Sequence, residues 1–392
     1  MLKLRIPKLK AKPVRTLEPV LFMAVLVGLF FPIGSKMGVV NMLGTMMNTA
    51  YQLLLDTVFY IMGVAVLAGA LSALFSEFGV IAMVNKILSP LMKPLFGLPG
   101  AASLGVITTY LSDNPAILAL ANDKSFRRYF KKYQLPALTN IGTAFGMGAI
   151  VTTFMIGLTP PSGESLVRAA LIGNLGAFVG SIVSTRLMLR HTVKLYGKDE
   201  PCDKIEDGPE LATEHRIVRE GSLGMRIVDA LMDGGKTGVT LGLDIIPGVL
   251  IICTMVLMLT NGPSEAGVYT GAAYEGVAFF PWLGQKLSFI ITPLFGFTST
   301  EGIAVPITAL GSAGAAIGLV PKLLAGGHAS GCDVAVFTAM CMCWSGYLST
   351  HVAMMNNLKC GKLAGRAILA HTIGGICAGI SANWLYRLFT LL

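Results

Sequence analysis

Apolar stretches as long as a bilayer is thick recur along this chain, separated by short polar segments. The run from Pro19 to Ile33 carries no charged residue, and the run from Tyr51 to Phe75 carries only Asp56. A transmembrane helix needs roughly 20 predominantly apolar residues. Of the 392 residues, 54% are hydrophobic and 13% are charged, whereas a soluble domain holds roughly 25% charged residues. The pattern predicts an all-α polytopic membrane protein, and it excludes both a soluble globular enzyme and a disordered chain.

The basic residues predict how the chain is oriented in the membrane. The net charge of +9 comes from 30 Lys and Arg against 21 Asp and Glu, and the basic residues lie in short runs between the apolar stretches. Cytoplasmic loops of membrane proteins are enriched in Lys and Arg. Residues 1–16 are rich in both and hold no acid. We therefore expect a cytoplasmic N-terminus, in a multi-pass protein of the bacterial inner (plasma) membrane, and no nucleic-acid partner.

Two segments predict re-entrant helical hairpins. In residues 97–126, Ser112-Asp113-Asn114-Pro115 separates two apolar pieces, each of about half a membrane span. Backbone that breaks inside the bilayer is tolerated only where it is buried in protein or lines a watery cavity. Residues 295–318 repeat the pattern, with Thr298-Ser299-Thr300-Glu301 as the expected polar tip.

Each predicted hairpin precedes a Gly-rich span, at residues 135–158 and 334–355. The charge bias places the two hairpins on opposite sides of the membrane. The fold class that follows has inverted repeats, each with a re-entrant helical hairpin followed by a broken transmembrane helix. Paired interrupted segments at matching positions indicate the binding site of a transporter.

The predicted organisation follows from these elements. In chain order it consists of a basic cytoplasmic N-terminal tail at 1–16, N-terminal transmembrane helices at 17–78, a first repeat with an interfacial helix, a hairpin and two spans at 79–189, a cytoplasmic linker at 190–236, a central span and outer loop at 237–275, and a second, inverted repeat at 276–392.

Polar residues within the interrupted helices are the candidates for function. Ionisable residues inside a membrane are costly to bury, while broken helices present N–H groups to anions and carbonyl groups to cations. The expected solute-binding residues are Asp113, Asn114, Glu301, Thr300, Trp344 and Ser349. The expected ion-coupling residues are Ser112, Asn140, Thr143 and Ser299.

These assignments have structural alternatives. The carboxylates of Asp113 and Glu301 could cap the hairpin backbone, and Asn140 and Thr143 could bond neighbouring helices together. Trp344 could stack on a planar solute or simply pack.

Other side chains allow further interpretations. His351 could carry a proton or be an ordinary histidine at the cytoplasmic end of its span. Asp333 is expected to be solvated at an interface. Met340-Cys341-Met342-Cys343 with His351 offers soft ligands for a reduced transition metal, although alternate residues point to different sides of a helix.

No enzyme signature is present, so we expect a protein that is not an enzyme and holds no cofactor. Asp233-Gly234-Gly235-Lys236-Thr237-Gly238 is similar to a phosphate loop, but Ala230 stands where that motif requires glycine. The expected bound ion is Na⁺ or H⁺, as a coupling ion.

Three motifs resemble those of the concentrative nucleoside transporter family. Leu111–Pro115 (LSDNP) is similar to its first-hairpin Gly-Gln-Ser/Thr-Glu motif, and Gly296–Gly302 (GFTSTEG) is similar to Pro-Ser-Ser-Glu-Ala. Cys343–Ser349 (CWSGYLS) resembles Phe-Ala-Asn-Phe-Ser-Ser. The chain looks still closer to bacterial membrane proteins with a nucleoside-recognition (Gate) domain, which also occurs in spore maturation proteins and ferrous iron permeases.

The resemblance implies the fold, a homo-oligomer (a trimer) and ion coupling. It places Asp113 at the carboxylate position of the family's first motif. It places Glu301 at the ribose-binding carboxylate position of the second motif. Two positions depart from the family: Gly346 replaces a sugar-binding Asn, and Leu111 replaces a base-reading Gln. The substrate class therefore stays open between a nucleoside-like solute and another small metabolite.

The first functional hypothesis is a secondary active transporter of a small polar solute, coupled to Na⁺ or H⁺, which works by alternating access with its site between the two hairpins. The alternatives are a divalent metal permease of the ferrous-iron type and a non-transport membrane scaffold of the spore-maturation type. The expected partners are the solute, the lipid bilayer and further copies of the chain.

Overall fold

The computed structural model describes residues 17–114, 116–121, 127, 129–202, 219–244, 246–264 and 266–391. The predicted basic tail and much of the predicted linker lie outside these residues. Within the described part, the chain is helical and contains no β-strand. Among the described residues, five helices are long and apolar enough to cross a membrane, or six if one bent pair is counted as a single span. The predicted all-α polytopic fold is confirmed.

The helices used below are numbered in chain order. They are α1 (Leu17–Met37), α2 (Val39–Glu77), α3 (Val80–Phe96), α4 (Ala102–Leu111), α5 (Ala116–Ala121), α6 (Ala137–Thr143), α7 (Gly148–Gly157), α8 (Val167–Tyr196), α9 (Leu223–Asp244), α10 (Val249–Thr260), α11 (Phe279–Phe295), α12 (Thr300–Ala309), α13 (Ala313–Ile317), α14 (Val320–Ala325), α15 (Gly331–Cys343), α16 (Tyr347–Asn357) and α17 (Ala364–Leu391).

Residues at matching positions in the two repeats differ in number by the same amount. Helix α3 matches α11 at both ends, and each ends in the same four residues, Pro94–Gly97 and Pro293–Gly296. In each copy the final glycine has a positive φ, 73° at Gly97 and 66° at Gly296. A left-handed residue is a common way to end a helix, and glycine adopts it at little cost. This identical helix end marks the repeat in the sequence itself.

The same offset relates the broken spans that follow. The first span breaks between α6 and α7, where Met147 has a φ of 56°, and the second breaks between α15 and α16, where Gly346 has a φ of 63°. The predicted single span at 135–158 is therefore two helices, as the prediction of a broken helix required. The long helices α8 and α17 occupy matching places after these breaks.

Ahead of its broken span, each repeat is interrupted twice, which corrects one predicted tip. The first interruption follows Gly97 and Gly296, and the second follows Leu111 and Leu310. Residues 112–114 of the first expected tip lie at the second interruption of the first repeat. The other expected tip, at 298–301, lies instead at the first interruption of the second repeat. There the chain bends by 78° between α11 and α12.

The first hairpin folds back on itself as predicted. Ile117 on α5 packs against Gly105 on α4 and Gly142 on α6. The second hairpin consists of α12 and α13, which contact each other. Its tip is Leu310-Gly311-Ser312, a stretch with no ionisable side chain, so the prediction that Glu301 lies at this tip was wrong. Pro306 and the hydroxyl-rich run before it gave the misleading signal.

Small residues bring the main helices into backbone contact. A side chain at Gly180 on α8 would collide with the carbonyl of Gly374 on α17, so the matching helices of the two repeats touch there. On α9, Gly234 and Gly238 lie one turn apart and face the backbone of Gly69 and Ala65 on α2. Close packing of small residues drives helix association in membranes. The stretch that resembles a phosphate loop therefore serves helix packing.

A buried carboxylate precedes each repeat, with different partners. Glu77 accepts hydrogen bonds from the guanidinium groups of Arg226 and Arg219, at 2.7 and 2.9 Å. Glu275 accepts them from neutral groups, including the Thr270 hydroxyl at 2.7 Å and the Gly271 N–H at 3.0 Å.

Helix α9 begins at Leu223, inside the segment predicted as a linker.

Candidate functional site

Four interruptions of the helices meet inside the molecule. They are the first hairpin tip (112–114), the break between α6 and α7 (144–147), the second hairpin tip (310–312) and the break between α15 and α16 (344–346).

Direct contacts join these four places. The side-chain amide of Asn114 donates to the Ser345 carbonyl at 2.5 Å, across the two repeats. The Gly346 N–H donates to the Ala309 carbonyl at 3.0 Å, so the second tip meets the same break. A side chain at Gly146 would overlap Asn114 Oδ1. Glycine at this position lets the backbone of one span lie directly against the tip of the hairpin.

One oxygen at this junction has no hydrogen-bond partner among the described residues. Asn114 is buried, and its Oδ1 accepts no hydrogen bond from the described residues. An unsatisfied buried acceptor costs about 1–3 kcal/mol. Buried polar groups in folded proteins are otherwise almost always paired. The carboxamide oxygen is therefore an acceptor position that a cation or a solute N–H or O–H group could occupy.

The other tip residues of the first hairpin face the same interruption. Ser112 ends α4 with a non-helical backbone conformation, φ −135° and ψ −112°. The Asp113 carboxylate accepts the Asn114 N–H at 2.7 Å. The expected capping role of Asp113 is thus present, and the carboxylate also adds negative charge beside Asn114.

A cavity of about 280 Å³ lies at the other end of α12. Most of its lining is apolar, and we name it the polar cavity for the cluster of polar side chains on one part of its wall. Glu301, Lys322 and His328 supply its charged and titratable groups, and Thr260 and Asn261 add neutral polar ones. Glu301 Oε2 is 3.8 Å from His328 Nδ1, and the Glu301 side chain is 26% exposed. Lys322 and His328 were missed from the sequence because they lie outside any motif.

Glu301 and Asn114 therefore occupy separate places. Glu301 lies in the first turn of α12, while the second hairpin tip begins after Ala309, roughly 12 Å further along the helix axis by helical rise. The start of α12 therefore lies at the cavity, and the end of α12 lies at the junction.

The hydroxyl groups beside Glu301 face the loop before α15. Ser299 donates to the His328 carbonyl at 2.8 Å, and the backbone of Thr300 packs against Gly284 on α11. Asp333, expected to be solvated, is fully buried and accepts from the Thr298 N–H and the Ser330 N–H, both at 2.9 Å. It caps α15 and holds the first interruption of the second repeat in place.

Asn140 and Thr143 take part in contacts between helices. Asn140 Nδ2 donates to Ser184 on α8 and to the Ala367 carbonyl on α17, both at 3.0 Å. Thr143 donates to the Thr139 carbonyl within α6 at 2.8 Å, and its hydroxyl approaches Met354 Sδ on α16 at 3.9 Å. The bonds of Asn140 correspond to the alternative of inter-helix hydrogen bonding, and ion coupling by Asn140 and Thr143 stays a prediction.

Trp344 lies at the junction itself. Its indole is nearly buried, stacks on Tyr347 with ring centroids 6.2 Å apart, and packs against Gly375. Its Nε1 has no hydrogen-bond partner among the described residues. Ser349 lies in the first turn of α16, but its side chain is outside the described residues.

The soft-ligand hypothesis finds little support in the described part of the chain. No three His, Cys, Asp or Glu side chains there lie close enough together to hold a metal ion. Cys341 and Cys343 are buried within the helix bundle, and the Cys343 thiol faces the Ala177 carbonyl at 3.6 Å.

Several solved structures share this architecture. The transporter CNTnw in an inward-facing, substrate-bound state matches with a TM-score of 0.53 at 15% identity, over 86% of this chain and 80% of that chain. A variant of CNTnw in an outward-facing state matches with a TM-score of 0.53 at 14% identity, over 86% and 80%. A variant in an intermediate state matches with a TM-score of 0.53 at 13% identity, over 95% and 85%.

The likeness shows a shared fold. At this low identity it shows the fold of a concentrative nucleoside transporter and carries no statement about substrate. No family model matches the sequence, and no curated protein matches it significantly. The resemblance to Gate-domain proteins therefore stays a prediction.

Proposed function

We propose that this protein is a secondary active transporter that moves a small polar solute by alternating access. The observation that carries the proposal is the junction of four interrupted helices around the unpaired Asn114 oxygen. Discontinuous helices that meet inside a membrane are how secondary transporters bind solutes and ions. The shared fold supports this, because CNTnw has been seen in inward-facing, intermediate and outward-facing states.

The polar cavity points to the kind of solute. Glu301 supplies a carboxylate, Lys322 an ammonium group and His328 an imidazole, so neither sign of charge dominates. A volume of about 280 Å³ suits a small metabolite, because ligand pockets typically measure roughly 300–1,000 Å³. We infer an uncharged or zwitterionic polar solute, with a nucleoside-like compound as the first class to test. Coupling to Na⁺ or H⁺ belongs to this proposal.

The setting of the transporter is also part of the proposal. Large apolar side chains lie exposed on α1 and α2, among them Phe22, Val25 and Leu67. Such a surface fits contact with lipid and with further copies of the chain. We place the protein as a homo-oligomer, a trimer by resemblance, in the bacterial inner membrane with its N-terminus in the cytoplasm.

The test begins with the ligand. Purified protein is screened for thermal stabilisation by nucleosides, organic acids, amines and metal ions, and uptake of each stabilising compound is measured in proteoliposomes. Uptake in Asn114→Ala and Glu301→Gln should fall by about 5- to 150-fold, because each lost buried hydrogen bond costs about 1–3 kcal/mol. Asp199→Asn, at an exposed loop position, is the matched control and should transport normally.

The outcomes separate the candidate functions. Wild-type uptake in both site variants would overturn the proposed site. Stabilisation by metal ions alone would favour the permease, and a folded protein that no compound stabilises or enters would favour the scaffold.

A further inference from the structure

Two histidines lie side by side in the interior of the bundle. His351 on α16 and His371 on α17 both have 0% of their surface exposed, and their ring centroids are 4.6 Å apart. Neither was assigned to the solute site. Ionisable side chains inside a membrane protein are rare and by default functional candidates. His371 was missed from the sequence, although a histidine within an apolar span is itself a signal.

The partners of His371 fix its protonation state. Its Nε2 contacts the Cys343 carbonyl, which can only accept, so Nε2 carries a proton. Its Nδ1 lies 2.8 Å from the Ser184 hydroxyl. With Nε2 protonated, a neutral ring accepts at Nδ1, and Ser184 is the donor. Asn140 in turn donates to Ser184 at 3.0 Å. The chain of bonds therefore runs in one direction, from Asn140 through Ser184 and His371 to Cys343.

His351 is in the opposite situation. Neither of its ring nitrogens has a hydrogen-bond partner among the described residues. The titratable groups that face it there are His371 on α17 and Tyr347, one turn earlier on its own helix. From α6, which also packs against α16, the Thr143 hydroxyl approaches Met354. A neutral imidazole has one nitrogen lone pair that can accept a proton, and no described residue donates to that of His351, so His351 holds an empty proton-acceptor position.

Both rings contact the junction of the interrupted helices. The Cys343 carbonyl that His371 holds is the last one before the break at 344–346. Tyr347, the first residue after that break, packs against both histidine rings, with centroids 5.7 and 5.1 Å away. A charge on this pair would therefore act on the helix ends that Asn114 touches.

We infer that His351 and His371 form a buried proton-binding site, which couples proton movement to the alternating access proposed above. His351 accepts the proton on its free nitrogen and becomes an imidazolium with two N–H donors, while His371 stays neutral. In the conformation seen here at least one of the two imidazolium N–H groups would lack an acceptor among the described residues, so this is the proton-free form. Loading must then accompany a rearrangement that gives both N–H groups partners, and the proton leaves when the rearrangement reverses.

The experiment measures proton binding directly. The full chain, with ¹⁵N-labelled histidine, is placed in nanodiscs and its imidazole resonances are followed from about pH 8 to pH 5, across the range where histidine titrates. Signals are assigned with single His→Gln variants, and His191, half-exposed on α8, is the internal reference. We expect His351 to take up a proton and the resonances of His371, still neutral, to shift at the same midpoint.

The His371→Asn variant and the uptake measurement in proteoliposomes complete the test. His371→Asn should move the midpoint of His351, because it removes the adjacent ring. If His351 stays neutral down to pH 5, the inference is overturned, even if the protein transports a solute. If His351 titrates but no compound of the panel enters proteoliposomes, the proton site stands and the proposed transport fails.

Discussion

The two repeats share one backbone plan but place their polar chemistry at different interruptions. In the first repeat, the earlier interruption is Leu98-Pro99-Gly100, and the later one carries Asp113 and Asn114. In the second repeat, the earlier interruption leads into Glu301, and the later one, at 310–312, has no ionisable side chain. A symmetrical frame thus holds two unlike polar places, rather than two copies of one.

This difference separates the central junction at Asn114 from the cavity at Glu301. The later interruptions meet at the centre, where Asn114 bridges the repeats to Ser345. The polar cavity at Glu301 lies at the start of a half-span whose far end reaches that centre. A solute held at the cavity and an event at the junction are therefore linked through α12. Variants that affect one repeat only can test this division.

The largest effect is expected for Gly146→Ala. The new methyl group would overlap Asn114 Oδ1, so the first hairpin tip would have to leave the junction. Overpacking of a core costs about 1–3 kcal/mol, and here it also breaks the bond to Ser345. We expect a lower Tm and loss of solute uptake. Gly63→Ala, at a helical glycine with open space around it, is the control. An unchanged Tm in Gly146→Ala would contradict the packing described here.

A smaller effect is expected at the matching break of the second repeat. Met147 and Gly346 both have a left-handed backbone conformation, yet only Met147 carries a side chain. A methyl group at Gly346 would lie 3.0 Å from the Gly311 carbonyl, in a conformation that costs an L-residue about 1–2 kcal/mol. Gly346→Ala should therefore lower the free energy of unfolding by about that amount. Gly365→Ala, in open space on α17, should leave it unchanged or raise it slightly.

The smallest effect concerns the carboxylates that precede the repeats. Burial alone would raise the pKa of Glu275, but hydrogen bonds from Thr270, Gly271 and Thr45 hold that pKa below its usual value of 4.5. The unfolded chain then binds the proton more readily, so this carboxylate stabilises the fold above about pH 4.5 and the contribution is lost as the pH falls further. The Tm difference between wild type and Glu275→Gln should be largest near neutral pH and shrink in acid.

Salt distinguishes the same two carboxylates. Glu77 is held by the guanidinium groups of Arg219 and Arg226, and Arg219 is partly exposed. The exposed side of Arg219 is open to counterions, but the contacts of Glu77 with Arg226 and Arg219, at 2.7 and 2.9 Å, lie within the screening length of roughly 3 Å at about 1 M salt. The Tm loss in Glu77→Gln should therefore shrink only slightly in high salt, whereas the loss in Glu275→Gln should stay unchanged. Equal salt dependence would contradict the different bonding of the two sites.

The sequence was sufficient for the features that depend on local composition. Apolar length predicted the helices, and the polar Ser112–Pro115 run predicted the first hairpin, because a break inside the bilayer needs polar or Pro residues. The shared ends of α3 and α11, Pro94–Gly97 and Pro293–Gly296, would have fixed the register of the repeats. That register shows Glu301 to be equivalent to Ala102 and not to Asp113.

The features that depend on distant contacts could not be predicted. The bond from Asn114 to Ser345 joins residues on different repeats, and the pairing of His351 with His371 depends on how α16 packs against α17. Asp333 appeared to be a surface acid because its contact with Thr298 joins distant parts of the chain, although Ser330, three residues earlier, is a local signal for a helix cap. Side-chain type predicted which residues were candidates, and tertiary packing decided what they contact.

The backbone contact between α2 and α9 has a mechanical consequence. Because Gly234 and Gly238 lie directly against Gly69 and Ala65, no acyl chain of a lipid can enter between the two helices. At the end of the pair, Arg226 and Glu77 tie them together again. The two helices are therefore fixed to each other at two places along their contact, so a displacement of one would carry the other with it.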